Sequence, residues 1–112
     1  MCGFYGTNQI SRFSLGDAQE IEADRLMALR GPDDCQVFQK KSIFLKHFRL
    51  ITRGSSDRGK QPFIGQRYIL LFNGNIINSS ALAKKYFIDD SESDTEVLSN
   101  LIEKHGIKII AE

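Results

Sequence analysis

The N-terminus carries the first candidate for chemistry. The chain begins Met-Cys-Gly, so its second residue, Cys2, is a thiol followed by a glycine. A small residue at position two permits removal of the initiator methionine, after which Cys2 would hold both a thiol and a free α-amine. A nucleophile and a base would then share one residue, which is a known way to activate a thiol. The alternative is that Cys2 is a small hydrophobic residue buried at the start of a strand.

Two further motifs have residue types that suit an amide substrate. The run FNGN offers the side-chain amide of Asn73 and the backbone N–H of Gly74 as a donor pair for a tetrahedral oxyanion. The alternative is a plain turn, since Asn-Gly is a common turn pair. Arg49, at the end of a predicted strand, can bind an α-carboxylate through two hydrogen bonds or be an ordinary surface residue.

An acidic residue, Asp94, lies one position after a predicted helix cap, Ser93. It can accept a hydrogen bond from a substrate ammonium group, or simply complement the positive end of the helix dipole. His47 could in principle pair with Cys2 as a dyad, although a packed or exposed histidine is the more common case. These alternatives stay open at the level of residue types.

Composition excludes several classes of function. The two histidines and two cysteines form no metal-ligand spacing, and neither a P-loop nor a G-x-G-x-x-G motif is present, so we expect no metal and no cofactor. A formal net charge of +1 gives no general attraction to nucleic acid. No apolar run reaches the length of a membrane helix, which argues against a membrane partner.

Two cysteines fit a reduced, cytoplasmic protein better than a disulfide scaffold, and Cys35 is expected to be a buried structural thiol.

The first half of the sequence predicts strands around one helix. Residues 2–8 form a short buried strand, while residues 35–39 and 42–51 form a hairpin joined at Lys40 and Lys41. Asp17 and Glu20 predict the cap of a helix that stops at Gly31 and Pro32. The apolar side of this helix is expected to contain Ile21, Leu26 and Leu29.

The second half predicts a loop, a strand and two helices. Residues 52–63 are rich in glycine and serine and form the loop, and residues 67–73 form a buried strand that stops at Gly74. Residues 79–87 form one helix, and residues 93–106 form another with a capping box at its start and Gly106 after its end. The apolar stripe of the last helix contains Val97, Leu98, Leu101 and Ile102.

This order of elements predicts an α+β fold of antiparallel strands packed with helices. The 112 residues make one small domain. The chain ends on the apolar run IKIIAE, so we expect one face of the sheet to lack its cover. A second copy of the chain could cover that face, which predicts a homo-oligomer.

Six motifs, taken in order, resemble the class II glutamine amidotransferase domain, and most closely that of asparagine synthetases. They are MCG, RGPDD, HFRL, GKQPF, FNGNIIN and SDTEVL, and they span Cys2 to Leu98. The resemblance implies an N-terminal-nucleophile fold with two antiparallel sheets between helices. Residues 1–112 would be about the first half of that domain, and the fold would therefore be incomplete.

The resemblance also implies roles for the candidate residues. Cys2 would be the nucleophile with its α-amine as base, and Asn73 and Gly74 would form the oxyanion hole. Substrate binding would involve Arg49 at the α-carboxylate and Asp94 at the α-ammonium, together with Leu50 and Asn75. Glutamine would be hydrolysed to glutamate and ammonia, and the ammonia would pass to a synthetase domain that this chain does not contain.

Three departures from the family pattern weigh against activity. The usual FNGEIYN is FNGNIIN here, so Asn75 replaces an acidic residue and Ile77 a tyrosine. The run that begins RLSIID in the family is RLITRGSSD here, and the domain is truncated. The alternatives to an active amidotransferase are therefore an inactive relic that binds an amino acid or a partner chain, and a structural assembly module.

Overall fold

Two units, Met1–Ile51 and Thr52–Glu112, divide the chain. A computed structural model describes residues 1–10, 16–52 and 57–111, and each unit is considered by itself. Residues 53–56, in the middle of the predicted Gly- and Ser-rich loop, lie outside the described residues.

The first unit is a three-stranded antiparallel sheet with one helix. Its elements are β1 (Gly3–Thr7), α1 (Ala18–Ala28), β2 (Asp34–Lys40) and β3 (Ile43–Arg49). The strand order is β1-β3-β2, so β3 is the central strand. Gly3 lies opposite Phe48, and Asp34 lies opposite Arg49. The predicted hairpin is confirmed, but its turn is at Lys41 and Ser42, one residue later than predicted, because Lys40 is the last residue of β2; Lys41 has a positive φ of 53°.

The helix α1 begins as the sequence predicts, because the Asp17 side chain accepts from Glu20 N at 2.9 Å. Its predicted apolar side is wrong, since Ile21, Leu26 and Leu29 are all exposed. The buried residue of this helix is Glu20. Helical spacing places Glu20 and Asp24 on one face, and that face meets polar side chains on the sheet.

Those polar side chains belong to β1 and β3. Lys46 Nζ lies 2.5 Å from Asp24 Oδ2 and 3.5 Å from Glu20 Oε1. The Tyr5 hydroxyl donates to Asp24 Oδ1 at 2.5 Å, and burial and this hydrogen bond raise the pKa of Tyr5. Ionic and hydrogen-bonding contacts therefore attach this helix to the sheet where an apolar stripe was expected.

Two burial predictions for the strands are also wrong. Cys35 is exposed, because it lies on the edge strand β2, one flank of which has no neighbouring strand within residues 1–10 and 16–51. The strand β1 alternates between exposed positions and positions that are buried at Gly3 and half-buried at Tyr5 and Thr7, since successive side chains point to opposite faces of a sheet. The central strand β3 is the buried one, with Phe44, His47 and Phe48 all less than 6% exposed.

The second unit contains a two-stranded sheet and two α-helices within its described residues. Its elements are β4 (Phe63–Ile64), β5 (Ile69–Leu70), α2 (Ser79–Lys85) and α3 (Asp94–His105). Short 3₁₀ helices cover Asp57–Gly59 and Ile107–Ala111, so the apolar run IKIIA forms a 3₁₀ helix. Ala83, Val97 and Leu101 form the buried core of this unit.

The last helix matches its sequence signals closely. The Ser93 hydroxyl accepts from Glu96 N at 3.3 Å, and Gly106 ends α3 with a φ of 84° and an N–H that donates to Ile102 O at 2.8 Å. Val97, Leu101 and Ile102 are buried and Leu98 is half-buried, which confirms the predicted apolar stripe.

The buried strand predicted over residues 67–73 is wrong. The strand β5 contains only Ile69 and Leu70, and Tyr68 and Ile69 are both exposed. After Leu70 the chain runs to residue 76 without regular secondary structure. The backbone N–H groups of this segment therefore need partners other than a neighbouring strand.

Mixed helices and small antiparallel sheets confirm the predicted α+β class. Among the described residues, no helix is long and apolar enough to cross a membrane.

One buried histidine gives the fold a dependence on pH. His47 is 1% exposed, and its Nε2 has no hydrogen-bond partner among the described residues. Burial, with a smaller contribution from the charge of Arg49, lowers the pKa of His47 from 6.5 to about 4, and Asp34 opposes this shift. The folded chain therefore holds His47 neutral over a pH range in which the unfolded chain protonates it.

We expect the free energy of unfolding to fall as the pH drops from 6.5 to about 4, by up to about 3 kcal/mol, because only the unfolded state binds this proton. Denaturant titrations of the wild type and of His47→Leu across this pH range would measure the effect. The carboxylates titrate in both proteins, so the difference between the two isolates His47. An equally steep acid loss in His47→Leu would contradict this assignment.

Candidate active site

The Cys2 thiol lies against the backbone that follows β3. Leu50 N donates to Cys2 Sγ at 3.4 Å, and the thiol lies 3.8 Å from Leu50 O, to which it donates. This contact follows from strand pairing, because Gly3 opposite Phe48 places the residue before β1 beside the residues after β3. Cys2 is half-buried, so its thiol is neither sealed in a core nor fully in solvent.

Arg49 lies at the same end of the sheet. It is the last residue of β3, immediately before Leu50, and it is only 9% exposed. A buried guanidinium requires polar or charged partners, which makes this position unlike that of an ordinary surface arginine. The first unit therefore brings together three predicted site residues, Cys2, Arg49 and Leu50.

The motif RGPDD holds this end of the sheet in place, a role that the sequence did not reveal. An added Cβ at Gly31 would lie 2.1 Å from Phe48 O and 2.7 Å from Arg49 N, so only glycine fits there. Asp33 N donates to Arg49 O at 3.0 Å, and the Asp33 carboxylate accepts from Ile51 N at 2.7 Å. Gly-Pro after a helix signals a turn but does not indicate which strand the turn contacts.

The same motif contacts the nucleophile candidate directly. Arg30 Nε donates to the backbone carbonyl of Cys2 at 3.3 Å. The thiol and the carbonyl of Cys2 are therefore held by two different segments, the one after β3 and the one after α1. This hydrogen bond involves the Cys2 carbonyl oxygen, so the Cys2 α-nitrogen takes no part in it.

The Cys2–His47 dyad is not formed. The thiol contacts the backbone of Leu50, whereas the His47 ring stacks on Phe4 at a centroid distance of 6.4 Å and lies opposite Phe4 and Gln36 in the sheet. Among residues 1–10, 16–52 and 57–111, no group of three or more metal-ligating side chains could hold a metal ion.

The second unit presents Asn73, Gly74 and Asn75 on an exposed segment. An added Cβ at Gly74 would lie 2.6 Å from the Phe72 ring, so the missing side chain allows the chain to bend back over that ring. All three residues of this segment are exposed within the second unit.

Asp94 is joined to the end of that segment. Its Oδ2 accepts from Ile76 N at 2.9 Å, and Asp94 is the first residue of α3. A carboxylate in the first helical turn complements the helix dipole, and its second oxygen has further acceptor capacity. The second unit therefore places Asp94 next to the residues that follow Asn75.

Comparison with known proteins identifies the family. The chain matches the glutamine amidotransferase domain family over residues 1–112, and it therefore belongs to that family. It is 32% identical over 116 residues to asparagine synthetase B [glutamine-hydrolyzing] of Escherichia coli (strain K12), covering 95% of this chain and 20% of that protein.

Two other relatives have similar names. Asparagine synthetase [glutamine-hydrolyzing] 3 of Bacillus subtilis (strain 168) is 29% identical over 109 residues, covering 88% of this chain and 17% of the relative. Putative asparagine synthetase [glutamine-hydrolyzing] 2 of Methanocaldococcus jannaschii is 28% identical over 135 residues, covering 100% of this chain and 26% of the relative. The chain spans about a fifth of the length of the curated relatives it matches. The resemblance to asparagine synthetase-type amidotransferases is confirmed.

Gly31→Ala is expected to lower the free energy of unfolding by more than about 2 kcal/mol, because the new methyl group would overlap backbone atoms of β3. Gly3→Ala is the matched control, since its methyl group would meet the flexible end of Met27 at 2.8 Å and should cost about 1 kcal/mol. Urea denaturation would measure the free energies of unfolding of the two variants, and peptide mapping would report the rate of Cys2 alkylation. Equal stability losses in the two variants would argue against the close approach at Gly31.

Proposed function

We propose that this chain is the nucleophile-bearing portion of an amidotransferase that hydrolyses the side-chain amide of glutamine to glutamate and ammonia. The observation that carries the proposal is the position of the Cys2 thiol on the backbone directly after Arg49, in a chain that belongs to the glutamine amidotransferase family. A nucleophile beside a cation suits a substrate with a carboxylate at one end.

The proposed reaction begins once Met1 has been removed. The Cys2 α-amine takes the thiol proton, and the sulfur attacks the amide carbon of glutamine. Asn73 Nδ2 and Gly74 N donate to the oxyanion that forms. The α-ammonium returns its proton to the departing nitrogen. Ammonia is then released, and the γ-glutamyl group stays bonded to Cys2 as a thioester. Water adds to that thioester, which releases glutamate and restores the thiol.

Substrate recognition depends on charge. We propose that Arg49 binds the α-carboxylate of glutamine and that Asp94 binds its α-ammonium, with Leu50 and Asn75 contributing to the pocket. Burial of Arg49 supports its part, because a partly desolvated guanidinium binds a carboxylate more strongly than an exposed one. Asn75 provides a neutral amide and no carboxylate, so the ammonium group would meet one fewer negative charge than in the family pattern.

The ammonia needs an acceptor. The relatives in this family are named as glutamine-hydrolysing asparagine synthetases, and this chain spans about a fifth of their length. We propose that the ammonia passes to a synthetase domain or partner chain and that residues 1–112 are part of a larger amidotransferase domain. A cytoplasmic location is part of the same proposal, and the free thiols of Cys2 and Cys35 support it.

Incubation with 6-diazo-5-oxo-norleucine is expected to add one adduct at Cys2 to a chain that has lost Met1, and glutamine is expected to yield glutamate and ammonia. Cys2→Ala should abolish both results, whereas the matched control Cys35→Ser should preserve them, because Cys35 has no part in the mechanism. Intact-protein mass and a coupled glutamate assay provide the measurements. A processed chain that binds glutamine without adduct or turnover would indicate the inactive relic instead.

Self-association is a further expectation. Phe4 and Ile43 are exposed and lie on the same face of the sheet of the first unit, opposite to the face that Lys46 shares with α1, and a second copy could bury such side chains. Light scattering at micromolar concentration should give twice the 12.7 kDa chain mass. Ile43→Lys should shift the protein toward the monomer, and a wild type that is already a monodisperse monomer would refute the expectation.

A further inference from the structure

Gln61 is a buried polar side chain to which no role has been assigned. It is 5% exposed, and both ends of its amide make hydrogen bonds within the second unit. Phe72 N donates to Gln61 Oε1 at 2.6 Å, and Gln61 Nε2 donates to Thr95 Oγ1 at 3.2 Å. The side chain of Gln61 therefore joins the residue before Asn73 to the first turn of α3.

A second link attaches the other end of the same segment. Ile76 N donates to Asp94 Oδ2 at 2.9 Å, and Asp94 and Thr95 are adjacent residues at the start of α3. Asn73, Gly74 and Asn75 lie between the two links. The segment of residues 72–76 is thus tied at both ends to one helix terminus, while its middle stays exposed.

The links matter because this segment has no strand partner in the part of the chain that the structure describes. The strand β5 ends at Leu70, and residues 71–76 have no regular secondary structure. In a sheet, a neighbouring strand would fix the peptide plane of Phe72; here the carbonyl of a buried side chain does so. Removing the Gln61 carbonyl would leave the Phe72 N–H donor without this acceptor and release the backbone next to Asn73.

We propose that Gln61 is a positioning residue that holds the donor pair of Asn73 and Gly74 in the geometry needed by the oxyanion. This inference rests on the proposed glutamine hydrolysis. Gln61 touches no reacting atom, and Thr95 acts with it as the anchor on α3. Oxyanion donors contribute only when they are preorganised, so a displaced segment should slow the chemical step more than it weakens substrate binding.

The test compares the wild-type chain with Gln61→Met, Thr95→Val, Thr95→Ser and Gln66→Met. Methionine is close in size to glutamine but cannot bond Phe72 N, and valine is close in shape to threonine but has no hydroxyl. Thr95→Ser keeps the hydroxyl. Gln66 is exposed, so Gln66→Met is the matched control for replacing a glutamine.

Two readouts separate positioning from simple stability. Gln61→Met is expected to increase amide hydrogen exchange in peptides that cover residues 72–76, and to lower kcat for glutamine about 10- to 100-fold with KM changed less than about two-fold. Thr95→Val should give a smaller change of the same kind, because it removes only the anchor. Thr95→Ser and Gln66→Met should match the wild type in both measurements.

Each outcome decides the proposal. Unchanged exchange at residues 72–76 together with unchanged kcat in Gln61→Met would overturn it, as would equal loss of activity in Thr95→Ser and Thr95→Val. If Gln61→Met fails to fold, the two Thr95 variants decide the question. If the wild type shows no turnover, glutamine hydrolysis is refuted, but the exchange measurement still shows whether Gln61 holds the segment.

Discussion

Hydrogen bonds from backbone N–H groups to side chains hold every segment that carries a candidate site residue. Buried or half-buried N–H groups must be satisfied, and near the ends of short strands no neighbouring strand is present to accept from them. Four side chains supply that acceptor, each for a different backbone N–H: Cys2 for Leu50, Asp33 for Ile51, Gln61 for Phe72 and Asp94 for Ile76. Two of these acceptors, Cys2 and Asp94, are themselves candidate site residues, so the same side chains that would meet substrate also shape the backbone around it.

The first unit depends on polar contacts in a second way. Its helix is held to the sheet by Lys46 between Glu20 and Asp24, and by Tyr5 bonded to Asp24. Partly buried ion pairs generally stabilise a fold less than an apolar stripe of the same area. This arrangement fixes the position of the helix end, after which Arg30 contacts the Cys2 carbonyl and Gly31 packs on β3. The pairing of β1 with β3 places the thiol, and the segment after α1 adds a contact to the Cys2 backbone carbonyl.

Membership of the glutamine amidotransferase family and the local geometry support each other at different levels. The match shows the family, and the structure shows that Cys2, Arg49 and Leu50 meet at one end of a sheet while Asp94 is bonded beside Asn75. Two family departures lie on the exposed segment: Asn75 is exposed, and Ile77 is 82% exposed. Neither has a packing role in the second unit that would require an acid or a tyrosine.

The sequence by itself determined the elements whose signals are local. The Asp17 and Ser93 caps, the Gly106 terminus, the hairpin before Arg49 and the apolar stripe of the last helix depend on residues a few positions apart, and the structure confirms them. The ordered motifs also identified the family. Only the tertiary structure decided which face of α1 is inward, that Cys35 is exposed, that residues 71–76 form no strand, and that RGPDD and Gln61 hold the site segments. Each of these depends on a partner many residues away, and periodicity or spacing cannot show which distant side chain will accept a particular N–H.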